Sequence, residues 1–342
     1  MTQYDDFLDD MDDRDDDVDA MPKHPFQYTV DDALEVLPLS NTDDLIPIDV
    51  VYGFSDVAPD DLPRVKPIWQ TLPASQRVAI MNRLAEVSDA DFIVDYATFA
   101  SLGYMDEDAM VRLASVKAGG TDDSMATMRL LFEMVKTDSS ESVRTVAMQQ
   151  LGEYILTAEL DGNRDETKDI EDYAIQLYRD ETQSLDLRRR ALEAVSNVTR
   201  PEIFDMVENA YLHTDVLMRE SAVSAMGNTC DERWQDKILF ELSSDSPTMC
   251  HEAIQAAGQI GIEQAVNKLS ELGYSDDNQL QDAAIWSLGE IGGTEAVNAL
   301  NELLAHAESE SDEDLIEHVE DALQLAGALN DDIDFDLDDW DD

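Results

Sequence analysis

Apolar residues recur along this chain at two intervals, one the pitch of an α-helix and one much longer. In "LRRRALEAVSN" (187–197), "MRESAVSAMGN" (218–228), "MCHEAIQAAGQ" (249–259) and "LQDAAIWSLGE" (280–290) the first residue is apolar, and so are those four, five and eight residues on. That spacing lays one apolar stripe along an amphipathic helix. Each segment begins 31 residues after the one before, a period that signals stacked helical hairpins. "VRTVAMQQLGE" (143–153) keeps the pattern but starts 44 residues before its successor, and the surplus falls in the polar stretch "TAELDGNRDETKD" (157–169). Weaker copies stand at 111–121 and 315–325.

A second helical pattern precedes each stripe, as in "IFDMVENAYL", "WQDKILFEL", "EQAVNKLSEL" and "TEAVNALNELLAHA", with Asp and Ser clusters such as "SSDSP" and "YSDDN" at the turns. The unit is helix, turn, helix. The glycines at 152, 227, 258 and 289 are read as helix ends. Repetition of the unit predicts an all-α protein, a right-handed α-solenoid of about seven hairpins over residues 90–328 with an insertion near 157–169. A helical leader (26–89) is expected to cap it. Acidic tails (1–25 and 329–342) have too few apolar side chains to offset chain entropy and are expected to be disordered.

Charge changes the picture most. There are 78 acidic against 22 basic residues, a formal net charge of -56. Nucleic acid would be repelled, so the expected partners are proteins, and a surface for basic partners is one reading of the acidity. A surface suited to high internal salt is the other reading of the same acidity. No apolar run approaches the length of a transmembrane helix and no signal peptide is evident, which predicts a soluble cytoplasmic protein without membrane insertion. Cys230 and Cys250 form no CxxC, arguing against a disulfide framework or zinc ribbon. The oligomeric state is not legible.

"VRTVAMQQLGEY", "MRESAVSAMGN" and "AAIWSLGEIGGTEAVNALNELL" resemble HEAT repeats in the short form also found in phycobilisome-lyase-like proteins. Residues 52–99 look like the leader before the repeats in a group of bacterial stand-alone HEAT proteins. The resemblance implies interaction scaffolding. It also brings two enzymatic offshoots, a bilin lyase or isomerase type, for which no distinctive motif is present, and deoxyhypusine hydroxylase, whose di-iron centre is held by repeated His-Glu pairs. His251 and Glu252 match one such pair, but the equivalent places hold Thr145-Val146, Arg189-Arg190, Glu220-Ser221, Asp282-Ala283 and Glu317-His318. One pair cannot furnish a di-iron site, so His251 and Glu252 are weak metal candidates and no cofactor is expected.

If the stripe is buried, residues two and six places after its start face away from the core. This row reads Thr145/Gln149, Arg189/Glu193, Glu220/Ser224, His251/Gln255, Asp282/Trp286 and Glu317/Asp321. In HEAT-like arrays the second helix lines the concave side, which makes Glu220, Ser224, His251, Gln255, Asp282, Trp286 and Glu317 the expected partner-binding face. Trp286 is the aromatic member of an otherwise polar row, either an anchor for a partner or covered by the last repeat or tail. Arg144, Arg188 and Arg219, one place after the stripe begins, are expected to pair with turn aspartates. The terminal "DDIDFDLDDWDD", with Phe335 and Trp340, reads as a linear docking motif or a solubilising tail. Together these features predict a non-catalytic protein-interaction scaffold, with a HEAT-like enzyme or cofactor carrier as the alternative.

Overall fold

The computed structural model describes residues 28–37, 46–90 and 93–337. The N-terminal tail and Trp340 lie outside the described residues. Within them every regular element is helical, with eighteen α-helices and four short 3-10 turns. Contacts divide the chain into two compact units, Met1–Asp122 and Asp123–Asp342.

In the first unit the helices are α1 (Val30–Val36), α2 (Ile48–Gly53), α3 (Leu62–Trp69), α4 (Ala74–Ala90), α5 (Ala97–Ala100) and α6 (Ala109–Ala118). Phe54 stacks on Phe99 at 4.1 Å between ring centroids and Trp69 meets Phe99 edge-on, an aromatic knot at the centre of the unit. Arg77 and Asp106 form a buried ion pair at 2.9 Å. The repeat pattern had been extended back to residue 90, yet α5 is a single turn and α6 packs against α4, so these segments group with the leader.

Six hairpins make up the second unit: α7 (Met125–Thr137) with α8 (Glu141–Leu160), α9 (Lys168–Arg179) with α10 (Leu185–Val195), α11 (Pro201–Tyr211) with α12 (Val216–Asn228), α13 (Gln235–Glu241) with α14 (Pro247–Ile260), α15 (Val266–Leu272) with α16 (Asn278–Ile291), and α17 (Gly293–Glu310) with α18 (Glu313–Leu337). The second helices pack on one another in sequence from α8 to α18 as a continuous layer, and the first helix of each hairpin packs on its own second helix. This is an α-solenoid. The last helix runs to Leu337, past residue 329, where the acidic tail was expected to begin.

The turn residues start the second helices as their chemistry predicts. Ser184, Asp215, Ser246 and Asp277 each accept a hydrogen bond from the first free backbone N–H groups of α10, α12, α14 and α16. The stripe is buried apart from the half-buried Leu280; Met218, Ala222, Val223 and Met226 are all but inaccessible to solvent, as are Ala253, Ile254 and Ala257 of α14.

Two expectations are corrected. The recurrent glycines are not helix ends, since Gly152, Gly227, Gly258 and Gly289 all lie inside their helices. They are the points at which successive second helices touch. A Cβ would sit 3.2 Å from Ala194 Cα at Gly152, 2.8 Å from Ala256 Cα at Gly227, 2.9 Å from Ser287 Cβ at Gly258 and 2.9 Å from the Ala322 carbonyl oxygen at Gly289. True termination of α14 comes at Gly261, in the left-handed region at φ 74°.

Nor do the arginines after the stripe's first residue seek aspartate side chains. Arg144 donates to the Asp138 carbonyl, Arg188 to the Tyr178 carbonyl, and Arg219 to the His213 and Thr214 carbonyls, each at about the end of the preceding helix. Cys250 and Gln281, at the same place, donate to the Leu242 and Gly273 carbonyls. The last turn of a helix leaves carbonyls without partners, and this position supplies one.

Alanine in place of glycine within a helix ordinarily stabilises by about 1 kcal/mol. At Gly227 the new Cβ meets backbone, so Gly227→Ala is expected to destabilise by about 1–3 kcal/mol in urea unfolding.

Candidate functional site

Along the layer of second helices, the side chains two and six places into the stripe form a row on the side away from the first helices. The structure brings part of that row together. His251 and Gln255 of α14, Asp282 and Trp286 of α16, and Asp321 of α18 line one groove of about 700 Å3. Trp286 is 53% exposed even with α18 packed on α16, so the last repeat does not cover it. Ser224 and Glu317 do not line the groove.

Glu220 departs from the expected face. It is 6% exposed, and its carboxylate accepts a hydrogen bond from the Ser246 hydroxyl at 3.2 Å. The residue two places into a stripe leans toward the next hairpin rather than straight out. Arg189 does the same in donating to Ser221 Oγ at 2.8 Å, and Asp282 in facing His318 Nδ1 at 3.4 Å. Glu220 stands between two full neighbours, so leaning buries it.

Gln259 and Glu290 also line the groove, and the sequence reading missed them. Each follows the glycine of its own helix and packs back over the glycine of the hairpin before, Gln259 over Gly227 and Glu290 over Gly258. Asn228 shows the same habit one hairpin earlier, donating to the Glu193 carbonyl and to Ser196 Oγ. The signal was present as a polar residue recurring after the stripe: Asn197, Asn228, Gln259, Glu290. Burial raises the Glu290 carboxyl above its ordinary range, and a hydrogen bond with Trp286 works the other way.

His251 and Glu252 part company in space. His251 faces the groove, whereas Glu252 is half-buried toward α12. Burial pushes the Glu252 carboxyl up, and the charges of Glu193 and Glu220 add to this, while Ser224 and Arg190 oppose it. Among the described residues no three His, Cys, Asp or Glu side chains gather as a metal site. Of the terminal motif, the backbone of residues 331–337, Phe335 among them, is described as part of α18.

The layered hairpins and their exposed row define an α-helical repeat protein. A family model, HEAT repeats, matches residues 235–324, the stretch from α13 into α18 that holds the groove. Over that stretch the chain carries HEAT repeats. No curated protein sequence matches it. Among solved structures, it is similar to YibA of E. coli (17% identity, TM-score 0.41, covering 80% of this chain and 95% of that one). It is also similar to human deoxyhypusine hydroxylase in complex with glycerol (16%, 0.34, 87% and 96%) and to importin beta (13%, 0.41, 86% and 43%). At such identities and scores these likenesses say nothing of ligand or activity.

A raised carboxyl pKa means that the folded state prefers the protonated acid, so ionising Glu252 costs stability as pH rises through the ordinary carboxylate range. Glu252→Gln is expected to raise the thermal midpoint at pH 7 by about 1–3 °C, and the gain should close below about pH 4. Scanning both proteins across pH checks the sign.

Proposed function

We propose that this repeat protein is a non-catalytic scaffold that binds protein partners along the row of second-helix side chains, with the α14–α16–α18 groove as its anchor. The observation that carries this is Trp286, an exposed aromatic on a polar row, set in a groove large enough to take a side chain of a partner. A large aromatic at the centre of a contact is the residue type that contributes most to association. Such a row follows the inner side of a solenoid, where an extended partner meets several hairpins at once.

A net charge of -56 favours basic partners and opposes nucleic acid, and it makes binding sensitive to salt. No described helix is long and apolar enough to cross a membrane. The acidic C-terminal segment is a second surface that the same partners could use, and the test separates the two.

The test is cross-linking capture from the protein's own cells at native salt, with wild type, Trp286→Ala and a chain ending at Asn330. Loss of a defined set of partners from Trp286→Ala, by about 2 kcal/mol or more in affinity once they are purified, is the expected result. Loss on truncation alone would move recognition to the terminal segment, and an unchanged set from both would sink the groove as an anchor.

A further inference from the structure

From residue 238 to the end of the chain, Lys268 is the one lysine or arginine, beside three histidines and against 27 acidic residues. Lys268 sits on the first helix α15, paired with Glu271 at 3.1 Å. The second helices α14, α16 and α18 therefore carry no lysine or arginine, and the groove among them is lined by three carboxylates, those of Asp282, Glu290 and Asp321, with no fixed cation. Upstream, the same row is neutralised from within: Arg190 pairs with Glu193 at 2.6 Å, and Arg189 reaches Ser221.

Asp282, Trp286 and Glu290 are spaced four residues apart on α16 and so stand in line on one helix face, an indole between two carboxylates. Trp286 is 53% exposed and lines the groove, so its ring is open to an occupant. Asp321 lines the groove from α18, and Gln255 and Gln259 line it from α14, with amides that can both donate and accept hydrogen bonds.

The chain contains the complement of this arrangement in its own fold. Arg233 lies with its guanidinium carbon 3.6 Å from the Phe204 ring centroid while its Nε donates to Asp231 at 2.9 Å, so aromatic face and carboxylate hold one guanidinium together. The groove offers both of these holders and lacks the guanidinium. Resting on the reading of this groove as a partner site, we propose that its occupant is an arginine of an extended segment of a partner protein, laid on Trp286 with its charge met by Asp282, Glu290 and Asp321. A planar guanidinium stacks on indole and presents several N–H groups in a fork to carboxylates, which a lysine ammonium cannot do together.

The probe is a blocked Gly-Arg-Gly-Arg-Gly peptide, with its lysine counterpart and its citrulline counterpart, the neutral isostere of arginine. Each is titrated into the full chain, wild type and variants alike, with affinity read by calorimetry and place read by the indole N–H correlations, in which the resonance missing from Trp286→Ala marks Trp286. The expected result is a saturable shift of that resonance with arginine, none with citrulline, and about fivefold weaker binding with lysine. Asp282→Asn and Trp286→Ala should each weaken the arginine peptide about fivefold or more, while Trp286→Phe keeps most of the affinity. Citrulline binding as tightly as arginine, lysine binding as tightly as arginine, undiminished binding to Trp286→Ala, or no binding at all would each overturn the proposal. If partner capture still depends on Trp286 in those cases, only the guanidinium is wrong; if capture is indifferent to Trp286 as well, the groove reading falls with it.

Discussion

The spacing between successive second helices is set where a glycine of one helix meets a small residue of the next, as Gly227 meets Ala256 and Gly258 meets Ser287. Beneath the movable Gln259 and Glu290 side chains, the contact is with Ala256 Cα at Gly227 and Ser287 Cβ at Gly258, atoms tied to the neighbouring backbone, so the approach has little freedom. Every outward position inherits its direction from it. The residue two places into a stripe leans toward the next hairpin, and the residue after the glycine folds back over the hairpin before. Where glycine is absent, Ser196 takes its place, and the Asn228 amide bonds its hydroxyl.

The hairpin solenoid was legible because stripe and period are repeated signals, each copy supporting the others. The site was legible only in part. Trp286, Asp282, His251 and Gln255 line one groove, a grouping that needs only helical geometry to be read. Glu220 does not join them, because burial depends on what the neighbouring hairpin puts beside it, here Ser246 and the crowd around Glu252. Glycine inside a helix resembles glycine at its end when only one chain is read, and the close approach that distinguishes them is a contact between segments 29 residues apart, as for Gly227 and Ala256. Arg144, Arg188 and Arg219 were assigned to carboxylates since side-chain charge is visible in a sequence, whereas a carbonyl left open by a helix end is not.

Charge is distributed unevenly along the solenoid. Around the polar insertion the few cations are drawn into a dense network: Arg164 pairs with Glu159 and Glu171, and Arg200 with Glu171, Asp172 and Glu202. There Arg200 serves several carboxylates, which hold its guanidinium above the ordinary range against the opposing effect of burial. Glu171 is almost wholly buried and tolerable only because two arginines reach it. All fifteen arginines precede α13, and the second helices α14, α16 and α18 carry carboxylates with no lysine or arginine of their own.

That imbalance is not demanded by the architecture. At the place of Trp286, the other hairpins carry Gln149, Glu193, Ser224, Gln255 and Asp321 and stack equally well, and at the place of Glu290, Asn228 makes two hydrogen bonds without any ionisation cost. An exposed indole and a carboxyl raised by burial both work against the isolated chain, since one leaves apolar surface in water and the other opposes charge. Two local costs placed one helical turn apart, on the same face and beside a cavity, have a common physical remedy. A cation with a flat, weakly hydrated surface laid there would cover the ring and offset the charge at once.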